Sequence, residues 1–432
     1  MRTGIPQNKW QRSISGGKTA IKVGGKMLKY LAEKPFLDRQ KQKAAKQRAQ
    51  REGAHILFQG LSLLRGTALK IAQQLSFEID IFPEEVRREL EKSYHQVPPL
   101  NRALIRKVIS NTLGESPEKL FASFESKAFA AASLGQVHRA KTQAGQHLAI
   151  KIQYPGIDRT IASDIRLIKN LLRPADDYHL YRSALDEIET RLLEEIDYQM
   201  ESRHLVYFKE NLKLTDVVIP EVFQDYSSGT IISQTYLDGL PLDAWIKTSP
   251  SQKARDTVAA TLNQIFFTGL YDLNTIHADP NPGNFIITED LSVGLVDFGC
   301  VKKLSPEFVG HYRRLPATAV NPDKEKYFEL LEAFGMIRSK LDDQTKQQFF
   351  ETVVIFSQWF EKMFVAEIFD FGANPGFFAE GRQHLDSIYR LRKHVDMNPN
   401  FVFLDRTRYG LMRIFEMLGA RVRMRSPYEW DS

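Results

Sequence analysis

The chain of 432 residues has a single cysteine, Cys300, so an intramolecular disulfide is excluded, which suits a reducing compartment. Nothing in it approaches the roughly 18 to 20 uninterrupted apolar residues that a membrane-spanning helix needs. No signal peptide is evident at the N-terminus, so membrane contact is expected to be peripheral. The ten histidines show no zinc-ligand spacing with cysteine. There is no internal repeat, and no low-complexity tract beyond a Lys/Gln/Ala-rich stretch near 40–51. What is present is ordinary globular material. A charged fraction of 26% beside 43% hydrophobic residues excludes wholesale disorder, and the length leaves room for two or three domains.

Acidic residues are scarce in one place. Residues 1–53 hold 14 Lys and Arg against 3 Asp and Glu, whereas the remainder holds 45 against 50. Basicity is therefore a property of the tail. Within it, Ile21, Val23, Met27, Leu28 and Leu31 are spaced among lysines, a pattern that suits a helix on an anionic lipid surface. Residues 12–51 are the expected membrane contact. Nucleic acid is the disfavoured partner, because interleaved aromatics and a recognisable module are both missing. The expected location is cytoplasmic or peripheral on the inner face of a membrane, with mitochondrial targeting left open by the lack of early acids.

The most informative stretch is His277-Ala278-Asp279-Pro280-Asn281-Pro282-Gly283-Asn284, followed by Asp297-Phe298-Gly299. An aspartate, an asparagine five residues on, and a second aspartate thirteen further at the end of an apolar run are how protein-kinase folds deploy catalytic base and metal ligands. Phosphoryl transfer demands charge neutralisation, so hard oxygen ligands must hold magnesium against the phosphates while another carboxylate orients the attacking hydroxyl or water. Asn284 and Asp297 fit the metal roles and Asp279 the base. His277 is expected to pack and hydrogen-bond the loop rather than bind metal.

The complementary half lies upstream. His147–Gln153 reads as a strand that presents Lys151 in the manner of the lysine that pairs the α/β-phosphates. Before it comes Ala130-Ala131-Ala132-Ser133-Leu134-Gly135-Gln136, where a kinase would have its glycine-rich loop. Alanine resists positive φ, so this loop cannot wrap phosphates with a glycine loop's freedom. Read alone, the triplet suits helix or packing better than a nucleotide loop. His138, alternating within a strand, reads as an ordinary packed or surface histidine. Residues 183–211 form a helical pattern without proline or glycine. On one regular helix Asp197 and Glu201 share a face, while Glu195 and Asp197 stand about 200° apart. That geometry gives Glu201 to Lys151, Asp197 to the nucleotide or metal, and Glu195 to the N-terminal extension, a division that fails if the helix is kinked.

Together these residues resemble the UbiB (AarF) group of atypical protein-kinase-like proteins, at motif level from about 54 to 320. The carrying features are the alanine-rich loop Ala130 to Gln136; Lys70-Ile71-Ala72-Gln73 for the family's Lys-x-Gly-Gln; Glu195-Ile196-Asp197 with Glu201; and His277 to Asn284. Ala72 replaces the family glycine, and Asn281 a usual histidine. The resemblance implies an ATP- and Mg2+-dependent ATPase that supports ubiquinone or related isoprenoid-quinone biosynthesis. An isoprenoid lipid or quinone intermediate and quinone-biosynthesis enzymes are then its partners. It also implies that Lys70 and Gln73 occlude the pocket, and Glu195 and Asp197 are grouped with them as occluding or regulatory residues.

The expected fold is α+β: a bilobal kinase-like body with helical N-terminal and C-terminal regions. Its expected divisions are a basic tail 1–53, a helical extension 54–125, a small lobe 126–235, a large-lobe core 236–316 and a helical C-terminal part 317–432. Thr235 and Leu237 fall in the hinge that would receive adenine. Phe349, Val353, Phe356, Phe360 and Met363 recur every three or four residues and mark an apolar face expected to be core. Two other functions stay open: a small-molecule or lipid phosphotransferase, and a non-catalytic nucleotide-gated lipid scaffold or chaperone.

Overall fold

The computed structural model describes residues 101–132, 134–173, 178–320, 322–337, 341–390 and 398–430. The basic tail, the expected extension helices up to residue 100, Lys70, Gln73 and Ser133 lie outside the described residues. The chain divides into two compact units. The first runs to Met200 and includes Phe223–Gln234; the second holds Glu201–Val222 and Thr235–Ser432.

In the first unit, β1 (Phe121–Phe124), β2 (Ala130–Ala132), β3 (Gly135–Thr142) and β4 (His147–Gln153) form an antiparallel sheet. The two-residue strand β5 (Val217–Val218) belongs to the second unit, and β6 (Ile231–Thr235) completes the first sheet. The strand order is β1-β3-β4-β6, with β2 paired to β3. Alternation on β4 sends Leu148, Ile150 and Ile152 into a core with Ile105, Ile109, Phe121 and Ile231. Lys151 is left on the opposite face.

That core also draws on a helix before the sheet. The helix Arg102–Leu113 begins at Asn101, whose side chain accepts a hydrogen bond from the Leu104 backbone N–H at 2.8 Å, and ends at Gly114 in the left-handed region. Its Ile105 and Ile109, with Phe121 of β1, pack on β4. Residues before 126 thus share one apolar core with this sheet.

The helix expected over residues 183–211 is two helices, Tyr178–Glu195 and Tyr198–Asn211. The reason is local. The Asp197 carboxylate accepts from the Met200 N–H at 2.9 Å and so starts a new helix, and the Ile196 carbonyl is taken by the Gln153 side chain. The assignment of Glu195, Asp197 and Glu201 by angles around one regular helix therefore does not apply.

The second unit is built on the helix Gln252–Tyr271, whose N-terminus is capped by Ser251. Its strands are β7 (Leu240–Pro241), β8 (Thr275–His277), β9 (Phe285–Ile287), β10 (Val293–Leu295) and β11 (Val301–Lys303), of which β8 and β10 lie against that helix. One sheet has the order β5-β10-β9-β7, and β8 pairs with β11. A short ribbon of β12 (Phe369–Asp370) and β13 (Arg421–Val422) ties the C-terminal helices together. Phe349, Val353, Phe360 and Met363 are buried and Phe356 packs against them, in one continuous core with Leu262, Phe285 and Phe298. No helix of the described residues is long and apolar enough to cross a membrane.

Candidate functional site

In the first unit the alanine triplet is neither helix nor open loop. Ala130–Ala132 is strand β2, paired Ala130 to Val137, Ala131 to Gln136 and Ala132 to Gly135. Among the described residues none of the three alanines has positive φ. Gly135 is required by close approach, since a Cβ there would sit 2.3 Å from the Ile152 carbonyl oxygen and 3.0 Å from the Tyr198 hydroxyl. Leu134 is buried and its carbonyl accepts from the Tyr154 N–H. Gln136 is buried too, and its side-chain nitrogen lies 2.7 Å from His138 Nε2. His138 is a packed histidine: it is fully buried, stacked on Phe124, and its Nδ1 lies 2.8 Å from the Glu125 carbonyl oxygen. Burial pushes its pKa down, against an opposing hydrogen bond and charge from Glu125.

Lys151 on β4 pairs in register with Val137, directly behind the alanine hairpin. Its Nζ lies 5.0 Å from the centre of the Tyr198 ring, a cation–π contact. Tyr198 follows the Asp197 cap, so the break in the helical pattern sets this ring. Glu195 is half-buried and Asp197 exposed.

In the second unit Glu201 is 1% exposed on the helix Tyr198–Asn211. A carboxylate so buried needs compensating partners. Thr235 ends β6 with its N–H given to the Glu221 carbonyl at 2.9 Å, so that donor is engaged within the protein. Leu237 packs where Gly294 leaves room: a Cβ on Gly294 would be 2.5 Å from Leu237 Cδ1.

The loop from His277 to Asn284 is held at each end. His277 Nε2 is hydrogen-bonded to the Asp297 carbonyl and its ring stands edge-on to Phe298 at 5.5 Å. This is the packing role expected for it. Ala278 N–H donates to the Cys300 carbonyl at 2.9 Å, and Cys300 Sγ lies 3.7 Å from the Ala278 carbonyl, which gives the lone cysteine a packing role. Asn281 accepts from the Gly283 N–H through its side chain and shapes the turn that delivers Asn284.

Asn284 Nδ2 donates to Asp279 Oδ2 at 2.8 Å and to the Asp279 carbonyl at 3.2 Å. Both bonds use the amide nitrogen, so the amide oxygen is directed elsewhere. Asn284 stands just before β9 and Asp297 two residues after β10. The β9–β10 pairing of Phe285 with Leu295, extended by Val296 N–H to the Asn284 carbonyl, brings the two to one end of the hairpin. Asp297 Oδ1 accepts from the Gly299 N–H at 3.0 Å, which fixes the turn after the strand. The donor set an amide oxygen and a carboxylate would offer is hard and suits magnesium, which completes its shell with water and phosphate oxygens. Among the described residues no cluster of three or more His, Cys, Asp or Glu could hold a metal by itself.

Sequence reasoning passed over Arg406. It lies on the helix Pro399–Leu418 and its Nη2 donates to Asp279 Oδ1 at 2.5 Å. No spacing rule could have found a partner 127 residues away.

Comparison with known proteins decides the family. Residues 92–331 match the ABC1 atypical kinase-like domain. The chain belongs to the ABC1 atypical kinase-like family. It is 30% identical over 321 residues to the atypical kinase COQ8B, mitochondrial, of Danio rerio, covering 72% of this chain and 50% of that protein. It is 28% identical over 305 residues to the atypical kinase COQ8, mitochondrial, of Saccharomyces cerevisiae, covering 69% of this chain and 60% of the relative. The ABC1-family chain thus spans between half and three-fifths of the length of these relatives. Among solved structures, the Rv3197–erythromycin complex from Mycobacterium tuberculosis superposes with a TM-score of 0.56 at 23% identity, covering 89% of this chain and 96% of the other. The fold is the mixed α+β, kinase-like one expected from the motifs.

Proposed function

We propose that this ABC1-family protein binds ATP with magnesium and hydrolyses it in support of ubiquinone or related isoprenoid-quinone lipid biosynthesis. The observation that carries the reading is the fixed Asn284 amide beside Asp279, on a hairpin whose other strand leads to Asp297. Bound magnesium would supply charge neutralisation at the phosphates. Asn284 and Asp297 would hold it, and Asp279 would orient the attacking water or hydroxyl. Lys151 would hold the α/β-phosphates, with Glu201 in the role of its orienting acid. Ala130 to Gln136, Thr235 and Leu237 would line the nucleotide. Lys70, Gln73, Glu195 and Asp197 would regulate access.

The lipid pathway rests on the family resemblance, and the names of the two relatives support an organellar setting. Residues 12–51 would make the anionic membrane contact. The test is magnesium-dependent ATP hydrolysis by the purified protein, with and without anionic liposomes and a phenolic quinone-headgroup analogue, using Asp297→Asn as control. Hydrolysis that rises with lipid and vanishes in the control is expected. Metal-dependent nucleotide binding without turnover in the wild type would refute the ATPase reading.

A further inference from the structure

The loop His277-Ala278-Asp279-Pro280-Asn281-Pro282-Gly283-Asn284 contains no lysine or arginine. Its two carboxylate oxygens at Asp279 are nevertheless both engaged: Oδ2 by Asn284 from within the loop, Oδ1 by Arg406 from the helix Pro399–Leu418. The same helix is seated on the loop one turn further along. Gly410 lies so close to Pro280 that a Cβ at 410 would be 2.2 Å from the proline Cγ. Residues 406 and 410 are four apart and share a helix face, so the packing that presses the helix on Pro280 also aims Arg406 at Asp279.

A carboxylate held only by Asn284 can swing about its side-chain torsions, whereas donors on both oxygens fix its plane. Orientation matters because an attacking group must be met in line, and a misplacement of about 1 Å can cost on the order of 100-fold in rate. The Arg406 side chain is 44% exposed and that of Asp279 29%. The pair is thus a poor source of stability. Residue 406 also lies well beyond the 92–331 segment that matches the family domain.

We propose that Arg406 is a positioning residue for the ATPase reaction: it holds the Asp279 carboxylate in its working orientation from outside the family domain. The inference rests on the reading of Asp279 as the group that orients the attacking water. Carboxylate oxygens accept more than one hydrogen bond, so engagement by Arg406 leaves Asp279 able to accept a further one from water.

The experiment compares wild type, Arg406→Ala, Arg406→Lys, Asp279→Asn and the Arg406→Ala/Asp279→Asn double variant of the full chain in magnesium-dependent ATP hydrolysis. The expected result is a kcat about 10- to 100-fold lower in Arg406→Ala with KM for ATP within about twofold, and partial recovery in Arg406→Lys. The double variant is expected to be no slower than Asp279→Asn. A kcat in Arg406→Ala within twofold of wild type, with Asp279→Asn inactive, overturns the inference and leaves the reading of Asp279 standing. Wild-type turnover in Asp279→Asn overturns both. The melting temperature of Arg406→Ala is expected to stay close to wild type, since the exposed pair adds little stability, and a large fall would overturn the positioning role in favour of a structural one.

Discussion

Replacing Gly410 with alanine sets two effects of opposite sign against each other. In the middle of the helix Pro399–Leu418, alanine should gain about 1 kcal/mol over glycine from propensity alone. Its Cβ, however, would arrive 2.2 Å from Pro280 Cγ and 2.7 Å from Pro280 Cβ, where ordinary contact begins near 3.4 Å. The proline ring cannot rotate away, so the helix or the loop must retreat by more than about 1 Å, and overpacking of this kind costs about 1–3 kcal/mol. The clash outweighs the propensity gain over most of that range, so stability is expected to change by about 0 to −2 kcal/mol. The larger consequence is kinetic. A retreat of about 1 Å carries the Asp279 loop off its geometry and should lower the proposed ATP turnover on the order of 100-fold. Urea denaturation and steady-state hydrolysis measure the two effects. A Gly410→Ala protein that is about 1 kcal/mol more stable and turns over at the wild-type rate would refute the reasoning, because propensity would then have won without displacing the loop.

Two further perturbations bear on the rest of the molecule. In a buried ion pair, Arg408 Nη2 donates to both carboxylate oxygens of Glu429 at 2.8 and 2.9 Å, and Glu429 also accepts from the Tyr271 hydroxyl at 2.7 Å. Burial alone would lower the Arg408 pKa, but the Glu429 carboxylate and the neighbouring tyrosines raise it, while burial pushes the Tyr312 hydroxyl up to about 12. Glu429→Gln leaves the guanidinium buried without its counter-charge and should destabilise by about 3–5 kcal/mol in denaturant titration; a loss under about 1 kcal/mol would contradict this. His138 titrates below its ordinary 6.5 because it is buried, so the folded state resists a proton that the unfolded chain accepts. Its contribution is complete above pH 6.5 and is lost as pH falls through the depressed folded value, with a slope of at most about 1.4 kcal/mol per pH unit. His138→Gln should show a shallower loss of stability below pH 6.5 than the wild type; parallel profiles would remove His138 as a source.

The elements most legible in the sequence were those whose partners are near in the chain. The strand His147–Gln153, expected from its alternation with Lys151 near its end, formed over those residues. The stripe from Phe349 to Met363 is core because a face repeated every three or four residues has to be covered. Asp279, Asn284 and Asp297 could be singled out because one loop and one hairpin hold them, and the short-range hydrogen bonds of Asn284 follow from that spacing.

Other features depended on competition that periodicity does not register. The 183–211 pattern reads as one helix, yet Asp197 capping the Met200 N–H, and Gln153 bonding the Ile196 carbonyl, outweigh propensity at the break. The alanine triplet became a strand because β3 offers it a ladder of backbone partners, which composition does not reveal. The class of fold, and the residue types on which the proposed chemistry of the loop rests, were already present in the sequence, since both reside in residues a few positions apart. Only the tertiary structure decided that Arg406 meets Asp279 and that Gly410 must stay bare against Pro280. Those contacts join segments more than a hundred residues apart, and they exist only once the C-terminal helix has buried its apolar face.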